Sequence, residues 1–161
     1  MKHSTWLKIA EVVAEESKCI SHKVGCVIVK NNRVLSTGYN GTPSKQENCC
    51  DANAHLVGEG GFQDWVSEEA KHEHHEWSNV HEIHAEMNAL LYSSPTERAG
   101  ATLYSTLQPC YTCSKLIAGS GITRVIFAKS YQRTPPEAIN LLLDAGIVVE
   151  FYPNLKSRGE E

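Results

Sequence analysis

Trp6, Ile9, Ala10 and Val13 recur every three or four positions, the spacing that lines one face of a helix. Residues 5 to 17 therefore read as a first helix, with Ser4 and Thr5 as candidate caps. Two β-rich runs follow, Val24 to Val29 and Val34 to Tyr39, joined across Asn31-Asn32, a pair that tolerates the left-handed backbone of a tight hairpin. From Gly41 to about Val80 the periodicity disappears, and Gly, Asn, Glu and His crowd around Cys49 and Cys50. An irregular stretch of that length needs something to hold it in a small domain.

The pattern resumes with Ile83, Met87, Leu90 and Leu91 on one face of a second helix, and Ala101 to Leu107 as a third strand. Pro109 is expected to open a third helix that ends near Gly119 and Gly121. Arg124 to Ala128 reads as a fourth strand, Pro135 to Ala145 as a fourth helix stopped by Gly146, and Ile147 to Tyr152 as a fifth strand. The connection between the last two strands is long enough for a right-handed crossover, which makes them parallel. The expected architecture is α/β: one domain over residues 1 to 161, with a helix-covered mixed sheet and a frayed tail over Lys156 to Glu161.

Composition narrows the chemistry. No apolar run reaches the length needed to span a bilayer, and Met1 to Thr5 shows no signal-peptide core, so a cytoplasmic chain is expected. A formal net charge of −4 argues against broad polyanion binding, leaving room for a small anion in a pocket. Six cysteines set among eight histidines in such a chain favour metal thiolates over disulfides, with zinc the first metal to consider.

Two short motifs carry the chemistry, His84-Ala85-Glu86 and Pro109-Cys110-Tyr111-Thr112-Cys113, each expected at a helix start. Cys110 and Cys113, three apart, can grip one zinc, and a helix N-terminus favours their thiolate form. With His84 as third ligand, one tetrahedral position stays open for water. Glu86 is not a ligand in this reading but a proton shuttle beside that water. Alone, a C-x-x-C is more often a structural zinc site or redox pair, and an H-x-E is usually solvated surface. Together they match the zinc-deaminase signature, in which water attacks carbon 4 of cytosine and ammonia leaves.

With these motifs placed, the chain resembles the deoxycytidylate (dCMP) deaminases of phage type, within the cytidine deaminase-like superfamily, from about Ser4 to Tyr152. Ser17-Lys18-Cys19, Lys23-Val24-Gly25, Gly38 to Pro43, Asn48 to Asp51 and Glu82 to Ala89 carry the likeness beyond the zinc motifs. It implies a three-layer fold whose five-stranded sheet has strands four and five parallel, with helices on both faces. It also implies conversion of dCMP to dUMP, which supplies thymidylate synthesis. Asn40 and the main chain at Ala85 would surround the sugar and base, with Lys23, Tyr131 and Ser21 as phosphate candidates. A second zinc would be held by Cys19, Cys49, His74 and Glu82, clipping the 41 to 80 segment, with His72, His75 or Cys50 as substitute ligands.

The resemblance further implies a homo-hexamer activated by dCTP and restrained by dTTP with magnesium, and no nucleic-acid polymer or membrane as partner. Where the family brings a glycine after Pro43, this chain has Ser44-Lys45; Lys45 would then serve a phosphate, with regulation in altered form. Two alternatives remain at this point: a tRNA adenosine deaminase, and a non-catalytic zinc-stabilised binding module. The missing basic stripe and the Cys/His-rich insert count against the first, and Glu86 beside a three-ligand zinc counts against the second.

Overall fold

The computed structural model describes residues 1–153; the tail expected over Lys156 to Glu161 lies outside the described residues. Helix α1 (His3–Ala14) leads into strands β1 (Gly25–Lys30) and β2 (Arg33–Tyr39). Short helix α2 (Cys49–Ala52), a 3-10 turn (Ala54–Leu56) and helix α3 (Glu68–His81) come next. Then follow α4 (Ala85–Leu91), α5 (Pro95–Arg98), β3 (Thr102–Leu107), α6 (Tyr111–Ala118), β4 (Arg124–Lys129), α7 (Glu137–Asp144) and β5 (Val148–Phe151).

The strands form one sheet in the order β2-β1-β3-β4-β5. β1 runs antiparallel to both β2 and β3, while β3, β4 and β5 are parallel. The expected parallel pairing of strands four and five is present, and α6 supplies a second crossover that makes β3 and β4 parallel as well. Asn31 and Asn32 both adopt positive φ, 51° and 59°, as a two-residue primed turn between β1 and β2 requires.

Alternation along β1 divides the core in two. Val27 and Val29 face Trp6, Leu7 and Ala10 of α1, with Tyr104, Ile126 and Ala128 completing that layer. Cys26 and Ile28 face the opposite way, onto Ala85 and Ala89 of α4, Ile117 of α6 and Leu142 of α7. Two glycines let these layers close. A Cβ on Gly25 would sit 1.9 Å from the Ala10 carbonyl oxygen, and one on Gly38 would sit 2.2 Å from the Ala85 carbonyl oxygen. Helix α4 thus rests on bare backbone of β2.

Several boundaries differ from the sequence reading. Helix α1 begins at His3 with Lys2 at the cap position and no side-chain cap, so Ser4 and Thr5 lie inside the helix. Pro109 precedes α6, and the cap is Cys110, whose Sγ accepts from the Cys113 N–H at 3.4 Å. The largest difference is α3, fourteen residues inside the stretch read as irregular. Its sequence, EEAKHEHHEWSNVH, has no apolar stripe; only Ala70 and His74 are buried, so periodicity could not reveal it. Ser67 caps it by accepting from the Ala70 N–H, and Glu68 and Glu69 fill the first turn. Helix α5, with its Ser94/Glu97 capping box, also escaped the pattern because four residues are too short for one.

Candidate active site and metal clusters

β3 and β4 end on the same side of the sheet, where crevices beyond the carboxyl ends of parallel strands commonly receive ligands. Past β3, Leu107 and Gln108 lead to Pro109 and Cys110, and Cys110 caps α6. His84 occupies the cap position of α4 with extended backbone, φ −68° and ψ 155°. Two helix N-termini therefore meet, and their dipoles favour negative charge between them.

His84 Nδ1 lies 3.4 Å from both Cys110 Sγ and Cys113 Sγ. These three ligand atoms all lie within 4.8 Å of one another, a span one zinc can bridge. The two thiols share a proton: a hydrogen bond from Cys113 draws Cys110 down to about 4, and the same bond, reinforced by burial, pushes Cys113 up. The bond to Cys110 raises His84. A thiolate, a second thiol whose proton a bound cation would displace, and an imidazole form a donor set suited to zinc. Glu86, in the first turn of α4, is buried, with Oε2 3.5 Å from Cys113 Sγ. Burial holds its carboxyl above the usual range, toward the working pH of a proton carrier.

A second cluster gathers Cys19, Cys49, His74 and Glu82, whose four ligand atoms also lie within 4.8 Å of one another. His74 Nε2 is 3.8 Å from Cys19 Sγ and 3.2 Å from Cys49 Sγ, and Cys19 Sγ is 3.4 Å from Glu82 Oε2. All four are buried. The bond from Cys49 lowers the Cys19 thiol and raises Cys49 in return, while burial pushes Glu82 up to about 7. Glu82 Oε1 is buried without a hydrogen-bond partner. An orphaned carboxylate oxygen beside two thiols and an imidazole is what a cation would satisfy. The substitutes considered from sequence, His72, His75 and Cys50, are exposed and outside the cluster.

The two clusters are joined by one peptide. Ile83 exchanges both backbone hydrogen bonds with Gly41, and Glu82 and His84 flank it in extended conformation. Side chains two apart in extended backbone point to the same side. Asn40, beside this bridge, spends its side chain on the main chain. Oδ1 accepts from the Val24 N–H and Nδ2 donates to the His22 carbonyl, both at 2.8 Å. Ser17 ties the same point to the second cluster, donating to the Asn40 carbonyl and accepting from the Cys19 N–H.

A cavity of about 490 Å³ opens over both clusters. Ser21, Asn40, Ala85, Glu86 and Tyr131, the residues read from the sequence as substrate and catalytic candidates, are among those lining it. Lys23 does not. It lines a neighbouring cavity of about 450 Å³ with Lys8 and Lys129, while His22 and Val24 on either side of it border both cavities. Sequence reasoning missed Lys71, His75, Ser78 and Asn79, which reach this cavity from α3, and Arg133 and Thr134, which follow β4. The α3 residues were invisible without the helix; for the Arg133 loop no sequence signal was available.

Comparison with known proteins agrees with this geometry. The family model described as the cytidine and deoxycytidylate deaminase zinc-binding region matches residues 1–129. The chain is 42% identical to the deoxycytidylate deaminase of Enterobacteria phage T4 over 175 aligned residues, covering 95% of this chain and 91% of that one. It is 43% identical to the deoxycytidylate deaminase of Mycobacterium phage D29, covering 77% of this chain and 91% of the relative. Among solved structures, the dCMP deaminase of cyanophage S-TIM5 in complex with dCMP and dUMP superposes with a TM-score of 0.70 at 32% identity, covering 94% of this chain and 98% of that chain.

Proposed function

Because this chain belongs to the cytidine and deoxycytidylate deaminase family, we propose that it hydrolyses dCMP to dUMP and ammonia. The observation that carries this reading is the buried carboxyl of Glu86 beside a His84/Cys110/Cys113 donor set, in a cavity also lined by the α4 N-terminus. Zinc, when bound by those three residues, supplies the activation of water.

The chain's own residues do the rest. Glu86 takes a proton from the attacking water as the water oxygen bonds to carbon 4 of the pyrimidine, and returns it to ring nitrogen 3. It then carries the second water proton to the exocyclic amine. The C–N bond breaks, ammonia leaves and carbon 4 keeps the oxygen as the uracil carbonyl, so atoms and charge balance. The main chain at Ala85 and the Asn40 corner shape the walls around base and sugar, and Asn40 fixes the 22–24 loop. Among the described residues, no helix is long and apolar enough to cross a membrane, and a cytoplasmic enzyme feeding dUMP to thymidylate synthesis fits the phage relatives.

Glu86→Ala tests the reading directly. Zinc content is expected to stay intact while ammonia release from dCMP is lost; substantial residual turnover would refute the role of Glu86. Neither a tRNA substrate nor a silent binding module is favoured by any feature of the cavity.

The finer proposals extend this reading. The second cluster holds a structural zinc, giving about two zinc ions per chain. Regulation by dCTP and by dTTP with magnesium persists in a homo-hexamer, in altered form. Lys45 sits at φ 68°, the backbone conformation a glycine would adopt there, so the loop keeps its shape while gaining a cation. Rate curves at low dCMP with and without dCTP check this, and superimposable curves would refute it.

A further inference from the structure

Resting on the assignment of a nucleoside monophosphate as substrate, we infer that Arg133 and Thr134 of the β4–α7 loop, together with Lys71 of α3, form the subsite for its 5′-phosphate. The two acids of the cavity are each held in a cluster: Glu82 belongs to the second and Glu86 sits beside the catalytic one. The rest of the wall contains two permanent cations, Lys71 and Arg133, and no further carboxylate. A phosphate dianion attached to a base held over Glu86 must find its countercharge along that wall.

Three observations converge there. Thr134 Oγ1 is buried without a hydrogen-bond partner, on a residue that lines the cavity; a phosphate oxygen would accept from that hydroxyl. Lys71 and Arg133 line the same cavity although they come from separate elements, α3 and the loop after β4. Tyr131 fixes the loop that presents Arg133: its N–H donates to Gln108 Oε1 at 3.3 Å, and its ring meets the His22 ring edge-on at 5.6 Å. Lys23, a phosphate candidate from the sequence, lines the neighbouring cavity and not this one.

The test compares dCMP with deoxycytidine, which lacks the phosphate. For wild type, kcat/KM is expected to favour dCMP strongly. If it does not, the substrate assignment itself fails, independently of this subsite. If it does, Arg133→Ala and Lys71→Ala should each lower the dCMP/deoxycytidine ratio about tenfold, through KM for dCMP, as loss of one hydrogen bond to a charged group predicts. The double variant should lower it further, and Thr134→Val by about threefold. Inorganic phosphate should compete with dCMP in wild type and lose that effect in the double variant. Arg133 is exposed and Lys71 half-buried, so folding is not at stake. An unchanged ratio in the double variant, with wild-type preference intact, overturns the subsite.

Discussion

The two thiol clusters share a peptide yet rest on opposite supports. The inner one, His84, Cys110 and Cys113, sits on the caps of α4 and α6, helices fastened to the sheet through Ala85, Ala89 and Ile117. The outer one draws its ligands from three separate segments: Cys19 after α1, Cys49 at the start of α2, and His74 and Glu82 from α3 and its C-cap. Its surrounding apolar material is small: Cys19, Ile20 and Cys49, with Val57, Trp65 and Trp77 half-buried against them. Where the inner cluster borrows order from the core, the outer one must supply order to the 41–81 stretch. On the function proposed here, an ion at the first would serve the reaction, and an ion at the second would stand in for a hydrophobic core.

Cys113→Ala breaks this comparison most severely. Turnover should fall by about 10⁴-fold or more, zinc content by one equivalent, and the melting curve should move little; a cooperative collapse of the whole chain would show that the inner ion is structural after all. Cys49→Ala comes next. Losing one ligand leaves the other groups buried without a counterion, so stability should drop by about 3–5 kcal/mol. Limited proteolysis should then cut within residues 41–81 while the sheet stays intact. Protection equal to wild type would mean that Trp65 and Trp77 suffice. Lys45→Gly sharpens the picture least: relief of a left-handed lysine, partly offset by glycine's greater freedom when unfolded, should raise stability by at most about 1 kcal/mol. A measured loss would mean the lysine side chain has an anchoring partner.

The same contrast explains what could be read before any coordinates. Every strand declared itself, because the alternating Val and Ile of β1 must serve two layers, and the Asn31-Asn32 turn carries its conformation in its residue types. The inner motif was equally open, since its spacing is local: N-cap to N3 for the two cysteines, and N-cap to N2 for His84 and Glu86. Helix α3 stayed hidden because it buries a histidine against thiols instead of an apolar stripe. From spacing alone nothing could reach across the 55 residues between Cys19 and His74; that grouping came only from the family resemblance. Lys23 lines the neighbouring cavity with Lys8 and Lys129, a side that its place in the sequence does not reveal.

The Glu82-Ile83-His84 tripeptide, pinned to Gly41 at its centre, fixes the interval between the two donor sets by covalent length, roughly 7 Å from one α-carbon to the other. Evolution can therefore lengthen or trim the stretch from 42 to 81 at its turns without disturbing either set. Adding or deleting a single residue at Ile83 would swing one donor to the wrong side.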